Sequence, residues 1–278
     1  MITIRACAHL VNPASRVRLA VWSLIIAQTI LSSACTVRPE WQRLADRQGL
    51  DLGWVDSSEF RHLVIANSAP GDALRIYIEG DGLPWIREQR VSIDPTPSNP
   101  VLLRLMSADD TAAVYLGRPC YFGTSTSQPC KPALWTAERY AEPIVESMCE
   151  AANRLSSRRG AVAVELIGYS GGGAIALGMR ACTRHLISIT TIAANLDVNA
   201  WSAYHRYTPL VLSRHLTSRH DIRPDVRETH WQCRGDRRVP PSITDAYFAA
   251  HPEATRVIVD NCSHEHGWER YRSAILRR

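Results

Sequence analysis

The sequence predicts an α/β fold in which helices cover both faces of a mostly parallel central sheet and a lid-like insert interrupts the domain. Two observations predict it. Short runs rich in aliphatic and β-branched residues alternate along the chain with longer helix-like segments, as in layered domains where helices follow parallel strands. Several of the strand-like runs are continuously apolar, which is typical of strands buried on both faces.

Seven strands and five helices are expected in a domain spanning residues 60–278. The predicted strands are His62–Ala66, Ala73–Ile78, Thr111–Leu116, Ala161–Ile167, Leu186–Ile192, Thr229–Cys233 and Thr255–Val259. The predicted helices are Pro100–Ser107, Glu138–Ser156, Gly172–Arg184, Ser242–Ala250 and Gly267–Leu276. Residues 197–227 are longer than an ordinary connection and rich in Trp, Tyr, His and Arg, so we expect a lid or binding loop there.

Length and charge exclude some classes of protein. The chain has 278 residues, of which 45% are hydrophobic and 21% charged, which suits one globular domain with a substantial core. Its net charge is +5, and three of these positive charges are Arg5, Arg16 and Arg18 within the first 34 residues, which contain no acidic residue. The other charges are interspersed rather than clustered, so we expect no nucleic-acid partner.

The first 34 residues have the pattern of an export signal. After the three arginines, Leu19–Leu31 is apolar except for three residues, too short to span a bilayer comfortably but suited to a secretory signal. Small residues then precede Cys35, which resembles a lipoprotein signal. This predicts a lipid on Cys35, a membrane anchor in the periplasm (at the outer membrane by the sorting pattern), and a tether over residues 35–59 that contains a helix over 36–52. An ordinary cleaved signal or an uncleaved anchor helix remains an alternative.

Six cysteines remain after residue 35, an even number that suits disulfides in an oxidising compartment. Cys120 and Cys130 flank a loop rich in Gly, Ser and Thr and are the best candidate pair. Cys233 and Cys262 end or follow two strands that should be neighbours. The other two, Cys149 and Cys182, fall on predicted helices with no argument that they meet, and buried free thiols are the alternative.

The most informative motif is a G-x-S-x-G string formed by residues 168–172, between an apolar strand and a helix rich in small residues. A serine on a sharp strand-to-helix turn needs neighbours without bulk, which explains Gly168 and Gly172. Its hydroxyl then projects from the carboxyl edge of the sheet, near the positive end of the helix. This context predicts Ser170 as a nucleophile; the alternative is a glycine-rich turn with an idle serine.

A nucleophilic serine needs a base and an orienting acid, which this arrangement supplies in the chain order Ser, Asp or Glu, His. Asp236, in a Gly-Asp-x-x-Val-Pro string after a strand, is the predicted acid, and Asp197 is its rival. Two histidines, His264 and His266, compete for the role of base. In folds with this motif the catalytic histidine often precedes an aromatic residue by about four places, and His264 stands four residues before Trp268, so it is the predicted base. A metal site at this H-x-H string lacks further ligands, so we expect no metal and no organic cofactor.

An oxyanion hole needs two backbone N–H donors. One is expected from Gly171, directly after the nucleophile. The other is expected from Asp81 or Gly82, in the loop after the strand Ala73–Ile78. The carboxylate of Asp81 would oppose a developing negative charge unless it points away.

Together these residues resemble the α/β-hydrolase superfamily over about residues 60–278. More narrowly, a group of proteobacterial α/β-hydrolase lipoproteins is similar to the strings EGDGLPW, YLGRPCYF, CKPALWTAERY, IGYSGGGAIA and AANLDVNAW. The resemblance implies the fold, a catalytic triad and a lipid anchor, but no particular substrate.

The function expected from these residues is a serine hydrolase that cleaves an ester, thioester or amide in a small-molecule acyl substrate through an acyl-enzyme. Two alternatives stay open at this point. One is a binding scaffold that keeps the fold without catalysis. The other is an acyltransferase, which would use the same acyl-enzyme with an acceptor other than water.

Overall fold

The computed structural model describes residues 38–87, 89–210 and 223–277. The predicted export signal, the predicted lipidation site at Cys35 and the middle of the predicted insert lie outside these residues. Residues Met1–Arg38 and Pro39–Arg278 form separate units, and the description below concerns the second. No helix among the described residues is long and apolar enough to cross a bilayer.

Eight strands form the central sheet, and a separate two-stranded hairpin follows its third strand. The strands are β1 (Asp51–Asp56), β2 (Arg61–Ala66), β3 (Ala73–Ile78), β4 (Trp85–Ile86), β5 (Arg90–Val91), β6 (Ala113–Leu116), β7 (Ala163–Tyr169), β8 (Leu186–Ile192), β9 (Arg227–Cys233) and β10 (Thr255–Val259). Their order in the sheet is β1-β2-β6-β3-β7-β8-β9-β10. Strand β2 is antiparallel to both of its neighbours, β1 and β6; along the sheet from β6 to β10 every pair is parallel.

Seven α-helices accompany the sheet in the described part of the chain. They are α1 (Glu40–Gln48), α2 (Val101–Met106), α3 (Glu142–Arg159), α4 (Gly171–Gly178), α5 (Val198–His205), α6 (Asp245–Ala250) and α7 (Arg272–Ile275). The chain moves one way along the sheet from β3 to β6 and the other way from β6 to β10. Right-handed crossovers therefore put α2 on one face and α3 and α4 on the other. The predicted α/β fold with a mostly parallel sheet is confirmed.

The inner strands read as uninterrupted apolar runs because both of their faces are covered. Every residue of β3 and of β6 is buried, as are all but the first residue of β7. Strands β3, β8 and β10 have the predicted bounds. The helices predicted over 172–184, 242–250 and 267–276 are each a short α-helix joined to a turn of 3₁₀ helix.

The structure differs from the prediction at residues 40–56, which were expected to belong to a tether. Helix α1 buries Trp41, Leu44 and Ala45, and the Trp41 ring packs edge-on against Phe122 at 5.5 Å. Strand β1 pairs with β2 along its whole length. The domain thus begins well before residue 60. The sequence hides this because β1 is an edge strand in which only Val55 is buried, so it lacks a long apolar run.

Three disulfides link the six described cysteines: Cys120–Cys130, Cys149–Cys182 and Cys233–Cys262. The first and last are the pairs that the sequence favoured. The middle one joins α3 to the turn after α4, a contact between helices that no local pattern indicates. Such bonds are compatible with an exported protein.

We expect α1 to stabilise the domain as part of its core. Replacing Leu44, which is 6% exposed, by Ala should lower the free energy of unfolding by about 2–5 kcal/mol, the usual cost of emptying a buried leucine site. Leu52→Ala on strand β1, where the side chain is 48% exposed, is the control and should cost about 0.5 kcal/mol or less. Urea unfolding measures both, and equal small effects would mean that α1 is only a tether.

Candidate active site

Ser170 lies at a sharp turn between β7 and α4, and close packing of backbone imposes its conformation. Its φ is +51°, a value that residues other than glycine seldom adopt. A Cβ on Gly168 would overlap the backbone of Gly173, and one on Gly172 would overlap the carbonyl oxygen of Ile78. The two glycines therefore let the turn press against its own helix and against the end of β3.

The structure brings the three predicted catalytic side chains into one hydrogen-bonded chain. Nε2 of His264 lies 3.0 Å from Oγ of Ser170, and Nδ1 of His264 lies 2.8 Å from Oδ2 of Asp236. Asp236 and His264 are 3% and 9% exposed. The other carboxylate oxygen of Asp236 accepts the N–H groups of Arg238 and Val239. A serine in this setting can pass its proton to the imidazole as its oxygen attacks an electrophile.

Two aromatic residues fix the backbone of His264. Its carbonyl oxygen accepts hydrogen bonds from the hydroxyl of Tyr169 at 3.1 Å and from Nε1 of Trp268 at 2.9 Å. Trp268 is fully buried, and the Tyr169 ring also packs against the imidazole at 5.2 Å. Burial raises the pKa of Tyr169, and nearby carboxylates raise it further, so its hydroxyl stays a donor. The spacing between His264 and Trp268 thus reflects a direct contact.

The two rival residues have other places in the structure. Asp197 is the N-cap of α5, where Oδ1 accepts the N–H of Ala200 at 2.9 Å. The side chain of His266 is exposed, and its backbone carbonyl accepts the N–H of Ser263. Neither side chain has a hydrogen bond to Ser170 or His264 among the described residues.

The predicted oxyanion donors come from two loops that touch. A Cβ on Gly171 would overlap the carboxylate of Asp81, so the loop after β3 lies directly against the start of α4. Within the described residues, no acceptor takes the N–H of Gly171 or of Asp81. An oxyanion donor must lack such an acceptor, so this finding is compatible with the predicted role of both groups.

The side chain of Asp81 is held by residues that no sequence motif indicates. Arg118 and Arg139 form ion pairs with its two oxygens at 2.6 and 3.1 Å, and the Tyr140 hydroxyl donates to it as well. Burial would raise the pKa of Asp81, but the two arginines and Tyr140 outweigh it and hold that pKa below its usual value. These partners lie in the strings YLGRPCYF and CKPALWTAERY, which the resemblance had singled out without assigning them a role.

The described start of the predicted insert carries a group of aromatic side chains beside the Asp236 loop. Nε1 of Trp201 and Nε2 of His205 both contact the carbonyl oxygen of Arg238, at 3.0 and 2.7 Å. The rings of His205 and Tyr207 stack at 5.1 Å, and Tyr207 is half-exposed. Trp201 and His205 therefore contact the loop that carries Asp236. Residues 211–222 of the insert lie outside the described residues.

Beneath the oxyanion loop, Glu79 caps a helix from a buried position. It is 3% exposed and accepts the N–H groups of Leu102 at 3.0 Å and of Gly80 at 3.3 Å. It thereby ties the start of the loop to the start of α2. Burial raises its pKa to about 7, because these hydrogen bonds and the charge of Arg104 only partly offset the loss of water.

Comparison with known proteins gives similar structures only. No protein-family model matches the sequence, and no curated protein matches it. A bacterial membrane phospholipase A, described as a virulence factor, is 15% identical, with a TM-score of 0.56 over 89% of this chain and 92% of that one. A serine hydrolase homologue from Coxiella burnetii is 14% identical, with a TM-score of 0.56 over 82% and 96%.

An esterase from Pyrococcus furiosus is 9% identical, with a TM-score of 0.57 over 83% of this chain and 92% of that one. Identities this low establish a shared fold and do not establish a shared reaction or substrate.

The raised pKa of Glu79 makes a prediction about stability and pH. A folded-state pKa of about 7 against 4.5 for the ordinary carboxyl means that the unfolded chain loses this proton first, so stability should fall as the pH rises from about 4.5 to about 7. Glu79→Gln removes the titrating group but keeps an acceptor for Leu102. Between pH 5 and pH 7.5 the wild type should lose stability relative to the variant, on the order of 2 kcal/mol.

Urea unfolding of both proteins at the two pH values measures this difference, and the other titrating groups cancel between them. Parallel pH dependence in wild type and variant would contradict the assignment.

Proposed function

The chain has the α/β-hydrolase fold, and from that premise we propose that it is a serine hydrolase that cleaves an ester, thioester or amide through an acyl-enzyme. One observation carries the proposal: an unbroken hydrogen-bonded chain from Oγ of Ser170 through His264 to Asp236. Two of the solved structures with this fold are named an esterase and a phospholipase A, which favours esters among the three substrate classes.

In the first half of the reaction, Oγ of Ser170 attacks the acyl carbonyl carbon while Nε2 of His264 takes the hydroxyl proton. The carbonyl oxygen becomes negative and accepts the N–H groups of Gly171 and Asp81. When the tetrahedral intermediate collapses, the bond to the leaving group breaks. The imidazolium returns its proton to the departing alcohol, thiol or amine.

In the second half, water replaces the leaving group. His264 takes a proton from the water as its oxygen attacks the acyl carbon of the ester on Ser170. Collapse breaks the bond to Oγ, and the imidazolium returns the proton to the serine, which releases the carboxylic acid. Asp236 keeps Nδ1 of the imidazole protonated and stabilises its charged form throughout, so no metal or organic cofactor is needed.

We also propose that the protein acts at a membrane in the periplasm, tethered by a lipid on Cys35. The apolar signal-like segment followed by small residues and Cys35 supports this location. The three disulfides are compatible with it, because such bonds persist in oxidising compartments. Mass spectrometry of the protein purified from membranes would test it by finding a lipid-modified Cys35 at the mature N-terminus.

Labelling with a fluorophosphonate, which reacts with activated serines, tests the chemistry directly. The chain from residue 36, which contains the whole compact unit, should be labelled on Ser170 as shown by peptide mapping. Ser170→Ala should abolish this label, and His264→Ala should slow it by about 10⁴-fold or more, because removing one triad member disables the unit.

His266→Ala is the matched control, since His266 is an exposed histidine two residues from the base, and it should label at the wild-type rate. A folded wild-type chain that takes no label would overturn the proposal and favour a binding scaffold. Once Ser170 is labelled, acyl transfer to added alcohols in competition with water would separate a transferase from a hydrolase.

The disulfide Cys233–Cys262 should matter for this reactivity. Cys233 precedes the acid by three residues and Cys262 precedes the base by two, so the bond joins the two loops whose side chains must meet. Replacing both cysteines by Ala should slow the labelling of Ser170 by about 10-fold or more, because a displacement of about 1 Å can cost 10²-fold in rate.

The pair Cys149 and Cys182 provides the control. Its bond spans 33 residues against 29, so both double Ala variants should lose similar stability. It ends away from the triad, and its removal should leave the labelling rate of the folded protein unchanged. Equal rates for the two variants would show that Cys233–Cys262 stabilises the fold without positioning the site.

A further inference from the structure

We propose that Arg118 and Arg139 are positioning residues that neutralise Asp81 and thereby allow its loop to serve as half of the oxyanion hole. The inference rests on the proposed function, because it concerns the same reaction. It assigns a role to a group of buried charges that the Ser170, His264 and Asp236 chemistry does not use.

The first step of the argument is proximity. The carboxylate of Asp81 lies against Gly171, close enough that a Cβ there would overlap it. Gly171 is also one of the two expected oxyanion donors, and the N–H of Asp81 is the other. A negative side chain therefore sits next to the point where negative charge develops on the substrate. An unpaired carboxylate at this place would raise the energy of the transition state.

The second step is the count of charges. Two guanidinium groups face the single carboxylate, Arg118 on one oxygen and Arg139 on the other. Arginine does not lose its proton in proteins, so the group of three side chains carries a net charge of +1. Arg118 and Arg139 are 2% and 9% exposed in their side chains, so water screens this charge little. The carboxylate is thus more than balanced where the oxyanion forms.

The third step is the fixed geometry of the loop. Arg118 also donates to the backbone carbonyl of Arg139 at 2.9 Å, and the hydroxyl of Tyr121 donates to the backbone carbonyl of Asp81 at 3.0 Å. Both the side chain and the backbone of Asp81 are therefore held. Such a loop keeps its N–H aimed without reorganising during the reaction, which is the source of oxyanion stabilisation.

The same network reaches the nucleophile. Nδ2 of Asn195 donates to the hydroxyl of Tyr140 at 3.2 Å, and Tyr140 donates in turn to Asp81. The backbone N–H of Asn195 donates to the carbonyl oxygen of Ser170 at 3.3 Å. The group around Asp81 is therefore connected to both sides of the predicted oxyanion hole.

The test compares rates of Ser170 labelling by the fluorophosphonate, whose phosphonyl oxygen becomes negative in the same hole. Arg139→Gln removes one positive charge and should slow labelling about 10- to 100-fold, somewhat less than the 10²–10³-fold cost of deleting a donor. Adding Asp81→Asn to that variant removes the carboxylate, whose remaining charged partner is Arg118, and returns the net charge of the group from 0 to +1. The double variant should recover most of the lost rate, whereas a merely structural role predicts further damage.

Two more variants control for folding. Arg139→Lys keeps the charge and should label within a few-fold of wild type. Arg180→Gln disturbs a similar buried group near the amino end of β9, away from the carboxyl ends where Ser170 lies. There Arg180 pairs with Glu228 at 2.6 Å, and Tyr247 donates to the same carboxylate. It should lose stability in urea yet label at the wild-type rate per folded molecule.

The labelling rates of these variants distinguish an electrostatic role of Arg139 from a structural one. A wild-type rate in Arg139→Gln, or a double variant no faster than the single one, would overturn the electrostatic role while leaving the proposed function in place. Recovery in the double variant supports it. If wild type itself takes no label, the proposed function fails and this inference falls with it.

Discussion

The site depends on the contact between the turn at Ser170 and the end of β3. Gly172 presses its backbone against the carbonyl of Ile78, and nothing larger fits between them. Because the strands on this side of the sheet are parallel, their carboxyl ends meet at one edge. The close contact then sets the start of α4 beside the loop that contains Asp81. Ser170, Asp236, His264 and the loop of Asp81 all lie at this edge.

The candidate triad could be proposed from the sequence because each of its members lies within five residues after a strand that the sequence predicted. Ser170, Asp236 and His264 therefore needed only the chain order and local strings. The partners of Asp81 could not be found this way. Arg118, Arg139 and Tyr140 come from segments 37–59 residues away, and only the folded chain puts them on one carboxylate.

The sequence also did not predict β1, β4 and β5, or that α1 belongs to the domain. Strand β1 is a largely exposed edge strand, and β4 and β5 have two residues each, so their hydrophobic patterns are weak. Helix α1 shows an amphipathic face, but a sequence cannot say whether such a face packs on its own domain or serves as a tether. In the structure this face packs on its own domain, where the Trp41 ring contacts Phe122.

The bond between Cys233 and Cys262 can form only after both of the loops that it joins have been synthesised. Cys233 ends β9 and Cys262 follows β10, so both of these strands must be made before the two cysteines can meet. In a reducing cytoplasm this bond would not form, and the loops of Asp236 and His264 would not be linked covalently. The bond would then form, and the two loops would be held together, only in an oxidising compartment.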